Sequence, residues 1–374
     1  MRILSDVQRH GQDRPPRIAQ GECYVTFAYD VARGIDLEEA DRRIAETRRR
    51  PSLRRKRRTP TYFEYEPSPL RVSREGTSIS IGNFSTRPTL EIMLYDFGAA
   101  AAIYTLPLEC SLDELLRLSD ALYDNEVLLE DSRRQVEWIL NVIGSAAVQP
   151  QLAPLVEDYV IFHIRRFDEP VELESLHEAY GRELAQILRA ELQPLSEEEV
   201  REALDARAAY GPDDMTIVDW NAALVVDPEG DDVVAVLEFA NVELLEMRFL
   251  DRQLDRAMDE AYDQLTRRRP GMRLFGYSSA ELERVAELQV DNALVFEGVN
   301  NTLKLLGDQY LARIHRLANR RFHIEEWDAS IMRKLQTLES IYQKMSDQAA
   351  SRRLELLEWI IIVLIALSIA ISFV

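Results

Sequence analysis

Carboxylates supply the most chemistry-capable spacing in this 374-residue chain. Glu238, Glu243, Glu246, Asp251 and Asp255 follow one another through a stretch of helical periodicity, and Asp251 and Asp255 stand four residues apart. On a helix that spacing puts two carboxylates on one face, where they can share a hard divalent cation. These two are the candidate metal ligands. Arg248, Arg252 and Arg256 interleave with the acids, so the competing reading is a solvated face of ion pairs. His10, His163, His177, His315 and His323 are scattered, and Cys23 and Cys110 form no zinc or redox pattern. The spacings of a phosphate-binding loop, a dinucleotide fingerprint, a zincin and a nucleophile elbow do not occur. The sequence therefore assigns no catalytic residue and no cofactor. Trp220, in the triplet Asp219-Trp220-Asn221, borders a strand and reads as packing rather than a stacking platform.

A second kind of chemistry is electrostatic. Residues 48–58 hold eight basic side chains among eleven, and Arg54, Arg55, Lys56, Arg57 and Arg58 form the densest part. So much like charge, interrupted by Pro51, suits a linker or loop better than a helix or strand face. As a contact it fits anionic lipid headgroups first. RNA ranks behind, with Tyr62, Phe63 and Tyr65 close enough to stack bases. The whole chain carries −20, from 45 basic and 65 acidic residues, a field that excludes a general nucleic-acid coat protein.

These groups need scaffolding, and a hydrophobic content of 46% is enough to build it. Alternation and turn residues predict strands over 22–29, 62–66, 70–73, 78–81, 89–95, 99–106, 155–167 and 216–226. Helices are expected from about 36, over 112–125, 132–147 and 172–191, and after Ser196, which a capping pattern ties to Glu199. The last third changes character. Val233, Leu237, Ala240, Leu244, Met247, Asp251, Leu254, Met258, Ala261 and Leu265 form a heptad-like seam with one charged member. Leu244 then faces the partner helix and Glu243 faces solvent. Pro270-Gly271 breaks the helix; a second long helix is expected over 279–317 and a third from about 325.

The fold class that follows is α+β: a mixed α/β body, then long antiparallel, coiled-coil-like helices. A C-terminal transmembrane helix completes it. The expected domains are a strand-helix segment with the Arg-rich linker (1–60), the body (61–228), the helical hairpin or stalk (231–353) and the membrane helix (354–374). Residues 359–374 carry no charge and reach roughly 24 Å as a helix, against a ~30 Å hydrocarbon core. Arg352 and Arg353 precede this run, Trp359 begins it and Val374 ends it, the arrangement of an interfacial anchor and a span. Residues 1–60 show no secretory signal, so the expected location is a membrane, most simply a bacterial inner membrane, with the body on the cytoplasmic side.

Three segments carry a family resemblance: YDFG at 95–98, LEFANVELLEMRFLDRQLD at 237–255 and RRLELLEWIIIVLIALSIAI at 352–371. They resemble the required-for-meiotic-nuclear-division family, also called the sporulation-protein or YagE-like family. The resemblance implies a membrane-anchored protein, linked in its eukaryotic members to organellar translation or to meiotic division and sporulation. It implies no catalytic residue. The functional expectation is a membrane-tethered interaction or scaffold protein, holding a partner or its own copies through the long helices. The alternative is an enzyme with an unrecognised, divalent-cation-dependent site in the body.

Overall fold

The computed structural model describes residues 15–47, 53–54, 68–266 and 309–372. The chain divides into two units, 1–246 with 301–325 and 247–300 with 326–374.

The first unit is organised by β1 (Ile18–Asp30), which pairs antiparallel with both β8 (Ala99–Leu108) and β10 (Val156–Phe167). Beyond β8 lie β7 (Thr89–Leu94), β4 (Leu70–Glu75) and the two-residue β3 (Leu53–Arg54). On the other side β13 (Ala222–Val226) runs parallel to β10, followed by β12 (Met215–Val218) and β11 (Arg207–Ala208). The order of this nine-stranded sheet is β11-β12-β13-β10-β1-β8-β7-β4-β3. Two short pairs flank it: β2 (Gly34–Ile35) with β9 (Ala147–Val148), and β5 (Ser80–Ile81) with β6 (Phe84–Ser85). Where one strand was expected over 216–226, the chain turns at Asp219, whose N–H donates to the Ala222 carbonyl, and gives the hairpin β12–β13.

Period two gives the sheet two different faces. Cys23, Val25, Phe27 and Tyr29 of β1 join Tyr104, Phe162 and Leu224 in an apolar core. Five helices cover this face: α1 (Leu37–Thr47), α2 (Leu112–Leu122), α3 (Glu126–Ile143), α4 (Leu173–Arg189) and α5 (Glu197–Asp205). Three of them start at side-chain caps: Ser111 makes a capping box with Glu114, Asn125 caps α3, and Ser196 accepts from the Glu199 N–H. Tyr29 and Tyr104 reach polar partners on α3, with Tyr29 Oη 2.7 Å from Ser132 Oγ and Tyr104 Oη donating to Asp131 at 2.7 Å. The opposite face carries Thr26, Ala28 and Asp30 of β1, Glu157, Tyr159 and His163 of β10, and Arg71 and Ser73 of β4. It is a polar face. The first half of α6 (Asp231–Thr266) and α7 (Gln309–Arg321) cover it.

From Val233 to Glu246 every residue of α6 except Ala235 and Leu244 is buried. This corrects the expected seam, because a helix enclosed on several sides has no solvated face to spare. Leu244 is only partly buried, while Glu243, expected in solvent, is 1% exposed. In the second unit the buried positions of α6 narrow to Met247, Leu250, Leu254, Ala257 and Ala261. Ile331 and Leu338 of α8 (Ile324–Ser372) are buried in the same unit.

The expected transmembrane helix is overturned. Among the described residues no helix is long and apolar enough to cross a membrane, so the single-pass anchor and the membrane location it implied are not supported. The reason is length. Sixteen uncharged residues fall short of the hydrocarbon thickness, and extending the run backwards takes in Glu358, Glu355, Arg353 and Arg352. Arg352, Arg353 and Trp359 are residues of α8, Trp359 is 66% exposed, and Val374 lies outside the described residues. The helix break at 270–271, most of the expected 279–317 helix and the strand over 62–66 also lie outside them.

Candidate functional site

The acids singled out in the sequence separate into two groups. Asp251 and Asp255 meet at one point in the second unit, and the cation between them is an ammonium. Lys334 Nζ of α8 stands 2.7 Å from one oxygen of each, and Ser330 Oγ donates to Asp251 at 3.1 Å. Arg54 stands opposite Ser73 in the β3–β4 pair, and Arg55, Lys56, Arg57 and Arg58 lie outside the described residues.

Glu238, Glu243 and Glu246 instead enter the polar layer between the sheet and α6. Arg71 of β4 bridges Glu91, at 2.9 Å, and Glu238, at 3.4 Å. Burial raises the Glu238 carboxyl to about 7. The Arg71 charge pulls it down and Glu91 pushes it up. The same burial and the Glu238 charge raise the Tyr95 phenol. Glu243 Oε2 lies 3.0 Å from His315 Nε2, which ties α7 to α6. Asn241 donates to the Glu157 carbonyl at 3.4 Å and fixes α6 over the start of β10. Glu246 is 1% exposed and neither of its carboxylate oxygens has a hydrogen-bond partner. Burial pushes it well above the usual carboxyl range, and the Asp30 charge adds to this. Asp30 itself is raised to about 7 by burial.

A second cluster lies at the start of α6. Glu22, His163 and Asp231 bring their possible ligand atoms within 4.8 Å of one another. The guanidinium groups already neutralise these acids. Arg165 binds Glu22 at 3.1 Å and Asp231 at 2.6 Å, and Arg87 binds the other Glu22 oxygen. His163 Nε2 donates to the Asp227 carbonyl at 2.8 Å, which fixes the tautomer, and burial pushes the imidazole pKa down. Two carboxylates facing two guanidiniums balance in charge, so a divalent cation placed here would leave a positive excess. The cluster braces β1, β10 and α6. Asp219 is a third such group. It is fully buried and accepts from Arg189 Nε at 2.9 Å and Arg321 Nε at 2.6 Å.

Sequence reasoning named the α6 acids but missed Asp30, Arg71 and His315 as their partners. A signal was present in VLEFANVELLEM, residues 236–247, where each glutamate has apolar residues on either side and no basic residue follows within four positions except Arg248. Such glutamates sit in a buried helix, and buried acids need partners from elsewhere in the chain.

The family model described as "Uncharacterized protein MJ0711, N-terminal domain" matches residues 20–232, from β1 to the first turn of α6. Over 220 residues the chain is 24% identical to a protein of Methanocaldococcus jannaschii called Uncharacterized protein MJ0711, a match covering 58% of this chain and 66% of that protein. No solved structure matches. The expected membership of the meiotic-division and sporulation family is thereby overturned, and the link to translation, division or sporulation loses the resemblance it rested on. One glycine of its motifs is explained by local geometry. Gly98 of YDFG has φ +110° and sits where an added Cβ would come 1.8 Å from the Ala32 carbonyl oxygen, a demand of this turn rather than a family signature. The match covers more than half of the chain and all of the sheet but the first two residues of β1: this protein belongs to the family of the MJ0711 N-terminal domain.

Proposed function

We propose that this protein is an interaction protein that assembles with its own copies through the C-terminal part of α8. The supporting observation is the exposure of that helix. Leu354, Leu357, Trp359, the six residues from Ile360 to Ile365, and Ile371 are each more than half exposed. Six consecutive apolar residues at 100° per step cover every side of a helix, so a single groove cannot bury them. A bundle of several such helices can, and apolar surface of this extent marks an association site. Neighbouring copies satisfy the requirement without charge conflict, because residues 359–371 carry no charge.

The test keeps the full chain. Ile361→Asp with Ile365→Asp places two charges in the proposed bundle and leaves the residues of the sheet body unchanged. Light scattering after gel filtration should give a mass above that of a dimer for the native chain and a monomer mass for the double variant. Equal masses would overturn the reading. The competing reading, a cation-dependent enzyme, draws on the buried carboxylates alone.

A further inference from the structure

Among the described residues, three buried carboxylates and the partly buried Asp251 have basic partners. Glu238 has Arg71, Glu243 has His315, Asp219 has Arg189 and Arg321, and Asp251 has Lys334. Glu246 differs from these four. Its two oxygens are buried without a hydrogen-bond partner, and the charge that acts on it is another carboxylate, Asp30. We propose that Asp30 and Glu246 hold a hard divalent cation in the layer between the sheet and α6.

The register supports this placement. Asp30 is the last residue of β1 and stands opposite Ala99, while Ala28, two residues before it on the same face, stands opposite Glu157 and next to Ala101. Glu157 is therefore the diagonal neighbour of Asp30 across the pair. Ala28, Ala99 and Ala101 offer no side-chain donor, and α6 is held over this corner by Asn241 on the Glu157 carbonyl. A buried carboxylate without a hydrogen-bond donor, as Glu246 is, is neutralised by a proton or by a cation. Oxygen-only donors with two negative charges match Mg²⁺, Ca²⁺ or Mn²⁺. Asp30 is only partly buried, which gives an ion a route to the pair. Burial raises both carboxyls, so protons compete with the metal and binding should strengthen as the pH rises through about 7. The site is independent of assembly through α8.

Mn²⁺ titrated into the full chain at pH 8, with free Mn²⁺ read by electron paramagnetic resonance, tests the proposal. The expected result is one ion per chain and a raised melting temperature. Glu246→Gln and, separately, Asp30→Asn should each weaken binding tenfold or more, and either variant serves if the other does not fold. Glu22→Gln should leave binding intact. The proposal is overturned if the native chain binds no Mn²⁺, or if Glu246→Gln binds as the native chain does. Loss of binding in Glu22→Gln alone would also overturn it, by moving the ion to the other cluster. A metal-insensitive native chain with a more stable Glu246→Gln variant would mean that the pair shares a proton instead.

Discussion

Asp219 has no exposed surface, and two guanidiniums from different helices converge on it, Arg189 of α4 and Arg321 of α7. Removing one partner of a buried pair leaves charge uncompensated, which costs more than the pair itself contributes. Arg321→Ala leaves Asp219 with Arg189 alone and should lower stability by about 1.5–3 kcal/mol in urea unfolding. Arg182→Ala, which breaks a pair with Glu197 whose side chains are 71% and 84% exposed, should produce no measurable change. Glu238 gives the pH counterpart. Its carboxyl is raised from the usual 4.5 to about 7 in the folded chain. Between those values the folded state keeps a proton that the unfolded state has released. Stability is therefore highest on the acid side of the window and falls as pH rises through it, by up to roughly 3 kcal/mol for this group. Asp30 adds a loss of the same sign ending at about 7. Glu238→Gln should flatten the decline in urea midpoint between pH 5 and pH 8, measured in a chelator. Parallel pH profiles for the variant and the native chain would show that Glu238 does not titrate there.

Helix α6 shows what is gained and lost when an element is read from its own residues. Leu245 has no exposed surface, whereas Leu244, on the expected seam, is only partly buried. Leu245→Ala should cost about 2–5 kcal/mol and Leu244→Ala about 1 kcal/mol or less, a ranking that thermal unfolding can check. The reverse ranking would restore the seam. The helical period of 233–265 was legible because it depends on neighbours three and four residues away. The enclosure of its first half was not, since that depends on which strands and which later helix come to lie over it. The same division runs through the sheet. β7, β8 and β10 could be read from composition and turn residues, and Ser196 announced α5 through its spacing to Glu199. The position of β1 between β8 and β10 could not, because strand order is a long-range property. At the candidate site the glutamates of α6 were visible as residues, but Arg71 and His315 lie 167 and 72 positions from the glutamates they meet. No spacing rule reaches that far.

At the scale of the whole molecule, the apolar end of α8 and the net charge act against each other. Residues 359–371 are uncharged, but each copy brings −20 with it. Copies that assemble through α8 must approach while their acidic bodies repel. An apolar bundle has no ion pairs for salt to weaken, so added salt only screens the repulsion, over about 10 Å at 0.1 M and about 3 Å at 1 M. Self-association should therefore strengthen with ionic strength. An interface held by ion pairs between copies would weaken instead. Sedimentation velocity at low and high sodium chloride, at one protein concentration and neutral pH, separates the two. The expected result is a shift toward the larger species in high salt, absent from the variant with Ile361→Asp and Ile365→Asp. Dissociation in high salt would show that charged faces of the helices hold the copies together and that the apolar end of α8 does not.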